Sequence, residues 1–444
     1  MSGLYPRQHS QQGLDLMEAA DVFTTLEIEL KPDPSRTVIR PFSFAYPEPF
    51  GNDRPKRMQQ VADRLLSLDK PMRQRMRNLI EKPMHERHRN ADATFLRRFD
   101  DVAGDLQLPG QLDETDRLLI GAYFSQEYAF ESAALFNPSI IRLPDADIED
   151  DELPFLLSLR GIGEGHISSV TFRTGRWNGG NTIVVDAASE HGMPPRLDKE
   201  LDGWMRLLCT DSADVSETVL FPVLPSQRSG IEDLRLVNFT DDDGTQSVIG
   251  TYTAFDGMTA RAELLRGIDM RTVEMRPLTG KMAGYKGMAL FPRRIDGQFV
   301  MLGRQDNENI WLLRSDRLEQ WDSGERIMGP KYPWEFVQMG NCGSPIEIDE
   351  GWLVFTHGVG LVRGYCVGAC LLDKADPCKV LARTPSPLLF PSAEQRGGYV
   401  PNVTYSCGAL LHHRRILLPY AIGDEFSAFA VGSVDDLLSV MAPA

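Results

Sequence analysis

Apolar residues along this chain change their spacing near residue 137, from a helical period to short alternating runs. Between Asp53 and about Asp105, Met58, Val61, Leu65 and Leu66 share one face of a 3.6-residue period. Met72, Met76, Leu79 and Ile80 do the same, so two amphipathic helices are predicted. Asp69 and Pro71 suit the start of the second, and Pro83 its end. A further helix is predicted from residue 113 to about 135, with Asp113 as N-cap, Asp116 three residues on, and Leu118, Leu119, Ala122 and Tyr123 as its apolar face. Residues 1 to about 50 are polar and Pro-rich, with one strand-like run at 38–42.

After Asn137-Pro138, short strand-like runs alternate with Gly, Pro, Asn and Asp. Five similar blocks begin near Asn137, Glu232, Lys286, Ser344 and Pro401, with runs such as 155–159, 247–252, 299–302, 352–355 and 415–418. Weakly repeated blocks of this size predict an all-β, five-bladed β-propeller over 131–444, with a mostly α-helical N-terminal extension over 1–130. A two-sheet sandwich is the structural alternative. Residues 193–226 read as an insertion in the first block.

Composition narrows the function. A net charge of −16 argues against nucleic-acid binding, and no apolar run is long enough for a membrane span. The N-terminus lacks the pattern of a secretory signal, and six cysteines without Cys-x-x-Cys spacing suit buried thiols. A cytoplasmic location is therefore expected. The arginines at 73, 75, 77, 87, 89, 97 and 98 read as a solvated or subunit-contacting face, which is compatible with a homo-oligomer.

In so acidic a chain, cations at strand ends stand out. Lys286, Arg304 and His357 each lie at the edge of a strand-like run, as do the carboxylates Glu232, Asp233 and Asp424. In a propeller such positions converge, together with Arg160, and the mixture suits holding a sugar beside an anion. Salt bridging between blades is the plainer alternative. Gly-rich residues 161–166 lead into a strand rather than a helix, so they read as a hairpin turn with His166 near the channel, not as a phosphate loop. His85 and His88 lack a third ligand, and His412-His413 reads as a turn, so no metal is expected. Trp311 and Trp334 suit either sugar stacking or core packing.

At these residues the chain resembles the inverting mannoside phosphorylases and related β-mannosidases of glycoside hydrolase family 130. The family's Glu-Asp-Pro-Arg motif stands here as Glu232-Asp233-Leu234-Arg235, and its Lys-x-x-x-Leu-Phe-Pro segment as Lys286 to Pro292. Gly368 to Asp373 with Asp376-Pro377, and Glu394, Gly397 and Pro401-Asn402-Val403, match further motifs in order. The resemblance covers about residues 130–435. Two departures, Leu234 for the motif proline and the run Pro419 to Asp424 for Tyr-Tyr-Gly-Ala-Ala-Asp, bear on sugar preference and on how the acid is held.

The resemblance implies a glycosyltransferase acting as a β-mannoside phosphorylase, which cleaves β-mannosides with inversion to α-mannose 1-phosphate or runs the reverse synthesis. It implies Asp233 as general acid, its proton passing through a sugar hydroxyl. Lys286, Arg304, His357 and Tyr365 are implied for phosphate. Asn137, Arg160, Glu232, Arg235 and Asp424 are implied for the sugar, with Arg160 also a candidate for phosphate. Inorganic phosphate is the co-substrate and no other cofactor is implied. The partner is a β-linked manno-oligosaccharide or a mannosyl-glucose. A β-mannosidase using water, with Asp424 or Glu394 as spare carboxylate, and a non-catalytic glycan-binding propeller are the alternatives.

Overall fold

The computed structural model describes residues 20–42, 54–144, 146–147, 151–201, 204–267, 271–392, 395 and 397–444. Asp53 and Glu394 lie outside them. The chain divides into two compact units, one of residues 34–130 with 189–192, the other of the remainder.

The first unit is mostly helical: α1 Arg54–Leu66, α2 Lys70–Arg87, α3 Ala91–Ala103 and α4 Glu114–Tyr123. Asp69 caps α2 by accepting from the Met72 amide, and Asp113 caps α4 by accepting from the Asp116 amide. Pro83 does not end α2. It sits inside the helix, on the face that carries the 75 % exposed Leu79, where a carbonyl left without its partner can be solvated. The predicted long helix from residue 113 stops at Tyr123 because the chain turns at once into a strand at Ser125–Ala129, which pairs with Thr37–Pro41. Local ion pairs absorb much of the basic face: Arg73 meets Asp116, and Arg77 meets Asp92 and Glu114.

The second unit is built from antiparallel strands in five groups. With β1 (Thr24–Leu30), β2 (Thr37–Pro41) and β3 (Ser125–Ala129) already placed, the first group is β4 (Ala134–Arg142), β5 (Leu153–Ile162) and β6 (Ser168–Trp177). The second is β7 (Gly230–Thr240), β8 (Gln246–Phe255), β9 (Ala260–Gly267) and β10 (Thr272–Pro277). Its strand pairing with β6 is confined to Gly230 and Ser168. Within residues 193–226, read from sequence as an insertion in the first block, Trp204–Leu208 pairs with β10 and Arg196–Leu201 with that strand. The third group is β11 (Ala289–Leu290), β12 (Phe299–Gly303), β13 (Ile310–Ser315) and β14 (Ser323–Met328). The fourth is β15 (Gln338–Asn341), β16 (Gly351–Val359), β17 (Tyr365–Leu372) and β18 (Val380–Arg383). The fifth is β19 (Thr404–Tyr405), β20 (Leu410–His412), β21 (Arg415–Ile422) and β22 (Phe426–Ser433).

β1 completes this last group by pairing with β22. Sequence reading assigned residues 1–130 to the helical extension and passed over this strand, although Leu26, Ile28 and Leu30 alternate and all pack on the core.

The apolar core lies between groups. One cluster joins Leu156 and Phe172 to Leu236 and Tyr252, and another joins Phe239 and Ile249 to Leu290 and Phe299. Leu302 and Leu312 meet Trp352 and Val354, and Leu353 and Phe355 meet Leu418 and Tyr420. A fifth cluster joins Leu417 and Phe429 of the last group to Leu157 and Leu159 of the first. Each group thus buries one face against the group before it and the other against the group after it.

A buried ion pair supports the fourth group. Both oxygens of Glu335 accept from Arg383 Nη2, at 2.7 and 2.8 Å, and Glu335 also accepts from the Lys331 and Tyr332 amides. Beside it Trp334, 2 % exposed, lies against Gly358 and Gly368, so it is core rather than a sugar platform. Removing the carboxylate strands a buried guanidinium. Glu335→Ala is expected to lower unfolding free energy by about 3–5 kcal/mol, read from urea denaturation.

Candidate active site

Two β-bulges aim the first half of the site. In β7, Glu232 pairs with Thr253 and Arg235 with Thr251, so Asp233 and Leu234 oppose the single residue Tyr252. In β4, Phe136 pairs with Arg160 and Ser139 with Ser158, which leaves Asn137 and Pro138 opposite Leu159. Asp233 and Asn137 occupy the left-handed region, with φ of 53° and 48°, which Asp and Asn tolerate better than most residues. The two side chains meet: Asn137 Nδ2 donates to Asp233 Oδ1 at 2.6 Å.

Arg160, opposite Asn137's neighbour Phe136 and lying over its ring, donates to Glu232 Oε1 at 2.8 Å and to Asp233 Oδ1 at 3.5 Å. Arg235 runs the other way, into the protein. It donates to the backbone oxygens of Cys342 (2.8 Å) and Asp233 (3.0 Å) and to the Tyr405 hydroxyl (2.7 Å). Leu234, which stands where the resembling motif has proline, is buried in the core against Gly250 and leaves this arrangement intact.

The second half is cationic. Arg304, just after β12, donates from Nη1 to His357 Nε2 at 3.1 Å. A guanidinium cannot accept, so His357 carries its proton on Nδ1. Gly340 makes this approach possible, since a Cβ there would lie 2.6 Å from His357 Cε1 and 3.2 Å from Arg304 Cδ. Tyr365 stacks on the His357 ring, and Tyr405 meets it edge-on at 4.9 Å. Tyr405 therefore links the two halves, touching His357 with its ring and Arg235 with its hydroxyl. Lys286 is half-buried and makes no ion pair among the described residues, while its neighbour Gly287 lies beside Arg304.

Charge and burial set the protonation states. Burial alone would raise the Asp233 carboxyl, but Arg160, Arg235, the Asn137 hydrogen bond and Lys286 outweigh it and hold the group below its ordinary value. Burial, then Arg304 and Arg235, push His357 well below its usual range, so its ring is neutral. Asp424 goes the other way: burial and the negative charge of Asp233 raise it to about 7, against opposing pulls from Arg160 and Arg363. Asp424 sits in the tight loop after β21 with φ of 50°. Next to it Gly423 has φ of 61°, and a Cβ there would meet the Gly397 carbonyl oxygen at 2.4 Å.

Several buried polar atoms here form no hydrogen bond within the protein: Asn137 Oδ1, Arg160 Nε, Arg304 Nε, Asn341 Nδ2 and Oδ1, and Thr404 Oγ1. Such atoms are costly to bury, and a polar ligand would satisfy them. The structure thus brings together all ten residues singled out from sequence, through direct contacts or, for Lys286 and Asp424, through the electrostatic field they share with Asp233. Sequence reasoning missed Tyr405, Asn341 and Arg363. Tyr405 lies two residues beyond the Pro401-Asn402-Val403 motif and Asn341 three residues before the block start at Ser344, so proximity to those signals could have flagged both. His166 Nδ1 hydrogen-bonds the Tyr399 hydroxyl at 2.6 Å.

A family model described as beta-1,4-mannooligosaccharide phosphorylase matches residues 204–443. A 1,2-beta-oligomannan phosphorylase of Thermoanaerobacter sp. (strain X514) is 36% identical over 154 residues, 34% of this chain and 52% of the relative. A beta-1,2-mannobiose phosphorylase of the same organism is 33% identical over 218 residues, 48% of this chain and 70% of the relative. The chain thus spans about half the length of the first relative. Among solved structures, the beta-1,2-mannobiose phosphorylase of Listeria innocua in complex with beta-1,2-mannobiose superposes with a TM-score of 0.51 at 20% identity, covering 70% of this chain and 92% of that one. That likeness concerns the fold.

The raised Asp424 carboxyl has a measurable consequence. A group whose folded pKa of about 7 exceeds its ordinary 3.8 stabilises the fold fully below the lower value, and that contribution is lost as pH rises through the higher one. Asp424→Asn removes the titration. Its stability relative to the native chain is expected to rise between pH 5 and pH 8 in urea melts, whereas parallel profiles would contradict the assignment.

Proposed function

The chain belongs to glycoside hydrolase family 130, and on that premise we propose that it is an inverting β-mannoside phosphorylase whose β unit is a five-bladed propeller with a helical extension. Core clusters that run from each strand group to the next, and from the fifth back to the first, support the propeller reading. The single observation that carries the activity is the cationic half-site of Lys286, Arg304 and neutral His357 beside the Asp233 carboxyl.

In this reading phosphate binds Lys286 and Arg304, whose point charge and planar fork offset the cost of holding a dianion near the reacting carbon. His357 and Tyr365 complete that pocket. Asn137, Arg160, Glu232 and Asp424 bind sugar hydroxyls, while Arg235 holds the Asp233 backbone. Phosphate oxygen attacks the anomeric carbon from the face opposite the leaving group. The carbon–oxygen bond breaks, and the leaving sugar takes up the proton supplied by Asp233 through a sugar hydroxyl. The product is α-mannose 1-phosphate. The mannosyl group is transferred to phosphate, so the chemistry is glycosyl transfer although the family is grouped with glycoside hydrolases.

A general acid must be protonated, yet Asp233 is held low by the surrounding cations. Bound phosphate acts against this: its negative charge offsets Lys286, one of the cations that hold the carboxyl down, and with loss of water it raises the proton affinity of Asp233.

One observation favours a hydrolytic second reading. Asp424, with a carboxyl raised to about 7, has the affinity for protons that suits a base activating water. The unpaired Lys286 and the Arg304–His357 pair favour phosphate, since water needs no cations. The six free cysteines go with a reducing, cytoplasmic setting, and no helix among the described residues is long and apolar enough to cross a membrane.

The test is the rate of mannose 1-phosphate release from short β-mannosides as phosphate is varied. Turnover is expected to require phosphate, and Lys286→Ala to lower kcat/KM for phosphate by about a hundredfold. Phosphate-independent release of free mannose would establish hydrolysis instead.

A further inference from the structure

The turn joining β20 to β21 holds a second cluster of ligating groups. His412 Nε2, His413 Nε2 and a carboxylate oxygen of Asp151 lie within 4.8 Å of one another. His413 Nε2 is 2.9 Å and His412 Nε2 3.4 Å from the same oxygen, Asp151 Oδ1. Successive residues of a strand point to opposite faces, so two neighbouring imidazoles cannot normally reach one point. Here they can, because the turn is left-handed: His413 has φ of 46° and Arg414 of 59°, in places that Gly, Asn or Asp ordinarily fill. The two rings come to 4.0 Å between centroids. Asp151, on the segment joining β4 to β5, is itself left-handed at φ 62°.

Three such residues together carry backbone strain, and strain persists where something offsets it. Hydrogen bonds to a carboxylate that is 69% exposed offset little, because water competes for it. A metal ion would offset far more. Tetrahedral coordination with bonds of about 2.0–2.2 Å sets ligand atoms roughly 3.4 Å apart, near the 2.9 and 3.4 Å that separate Asp151 Oδ1 from the two rings. His412 is already fixed, being 8% exposed, in contact with Trp177 and paired within the hairpin. The neighbouring Arg414 is engaged by Glu350 and Asp435, which mutes its repulsion of a cation.

The geometry points to a Zn2+-class site at Asp151, His412 and His413 that ties the last strand group to the first. Two imidazoles and one carboxylate select a borderline ion such as Zn2+ or Co2+ over Mg2+ or Ca2+, which prefer oxygen alone. Each ring binds through Nε2 with its proton on Nδ1. The site lies at the opposite end of β21 from Asp424, about 23 Å away for eight residues of strand, so its role is structural rather than catalytic.

Metal-stripped full-length protein is titrated with Co2+, reading the visible d–d band, and with Zn2+, reading bound stoichiometry and melting temperature. One equivalent is expected, with a tetrahedral-type band and a rise in melting temperature that Mg2+ does not give. His413→Ala, at an exposed position, and Asp151→Asn should each weaken binding by at least about tenfold. His85→Ala, which removes a different histidine–carboxylate pair, should leave it unchanged. Turnover of the metal-free protein should equal that of the loaded protein. Absence of stoichiometric binding, binding unchanged in His413→Ala and Asp151→Asn, or an equal melting shift with Mg2+ would each overturn the proposal.

Discussion

The buried guanidinium of Arg235 is the interaction on which the site depends. It is 2% exposed and extends from the second strand group to bind the Cys342 carbonyl of the fourth and the Tyr405 hydroxyl of the fifth, besides the Asp233 carbonyl of its own strand. A buried charge is tolerated only where such partners satisfy it, so three groups are fixed relative to one another by one side chain. The strain at Asp233 and Asn137 is held in the same way, by the packed strands on either side of each bulge. The acid is thereby positioned before any ligand arrives.

Under the proposed phosphorolysis, that arrangement separates two tasks. Asp233 is ringed by Asn137, Arg160 and Arg235, which keep it ionised and oriented. Arg304, hydrogen-bonded to His357 and bridged to the same network by Tyr405, supplies positive charge without a carboxylate between the pair. The neutral state of His357 matters here, because a protonated ring could not accept from Arg304. Lys286 is electrostatically coupled to Asp233, so under the proposed function phosphate held there alters the proton affinity of that carboxyl.

Much of this was legible in the sequence. Strand ends meet in such architectures, so charged residues at the start of each block, from Asp233 to Asp424, could be grouped without knowing the topology. The five block starts fall at the five strand groups. What was not legible depends on long-range contact. Tyr405 lies close to the Pro401-Asn402-Val403 motif, but its role depends on Arg235 and His357 reaching it from other groups. Strand β1 alternates visibly, but its partner lies some four hundred residues away at β22. The helix predicted to run past residue 123 failed because strand pairing with residues 37–41 overrode a local helical pattern. The His412-His413 turn was read correctly as a turn, yet its left-handed backbone, which brings the rings together, has no sequence signature in residues of that type.

The central claim is that phosphate attacks from the face opposite the leaving sugar, held by Lys286 and Arg304 while Asp233 supplies the proton. Its most direct test is the anomeric configuration of the first product, followed by proton and phosphorus NMR during turnover of a short β-mannoside in phosphate buffer. The account predicts α-mannose 1-phosphate from the earliest time point. Formation of the β-phosphate, or of free mannose in its place, would contradict it.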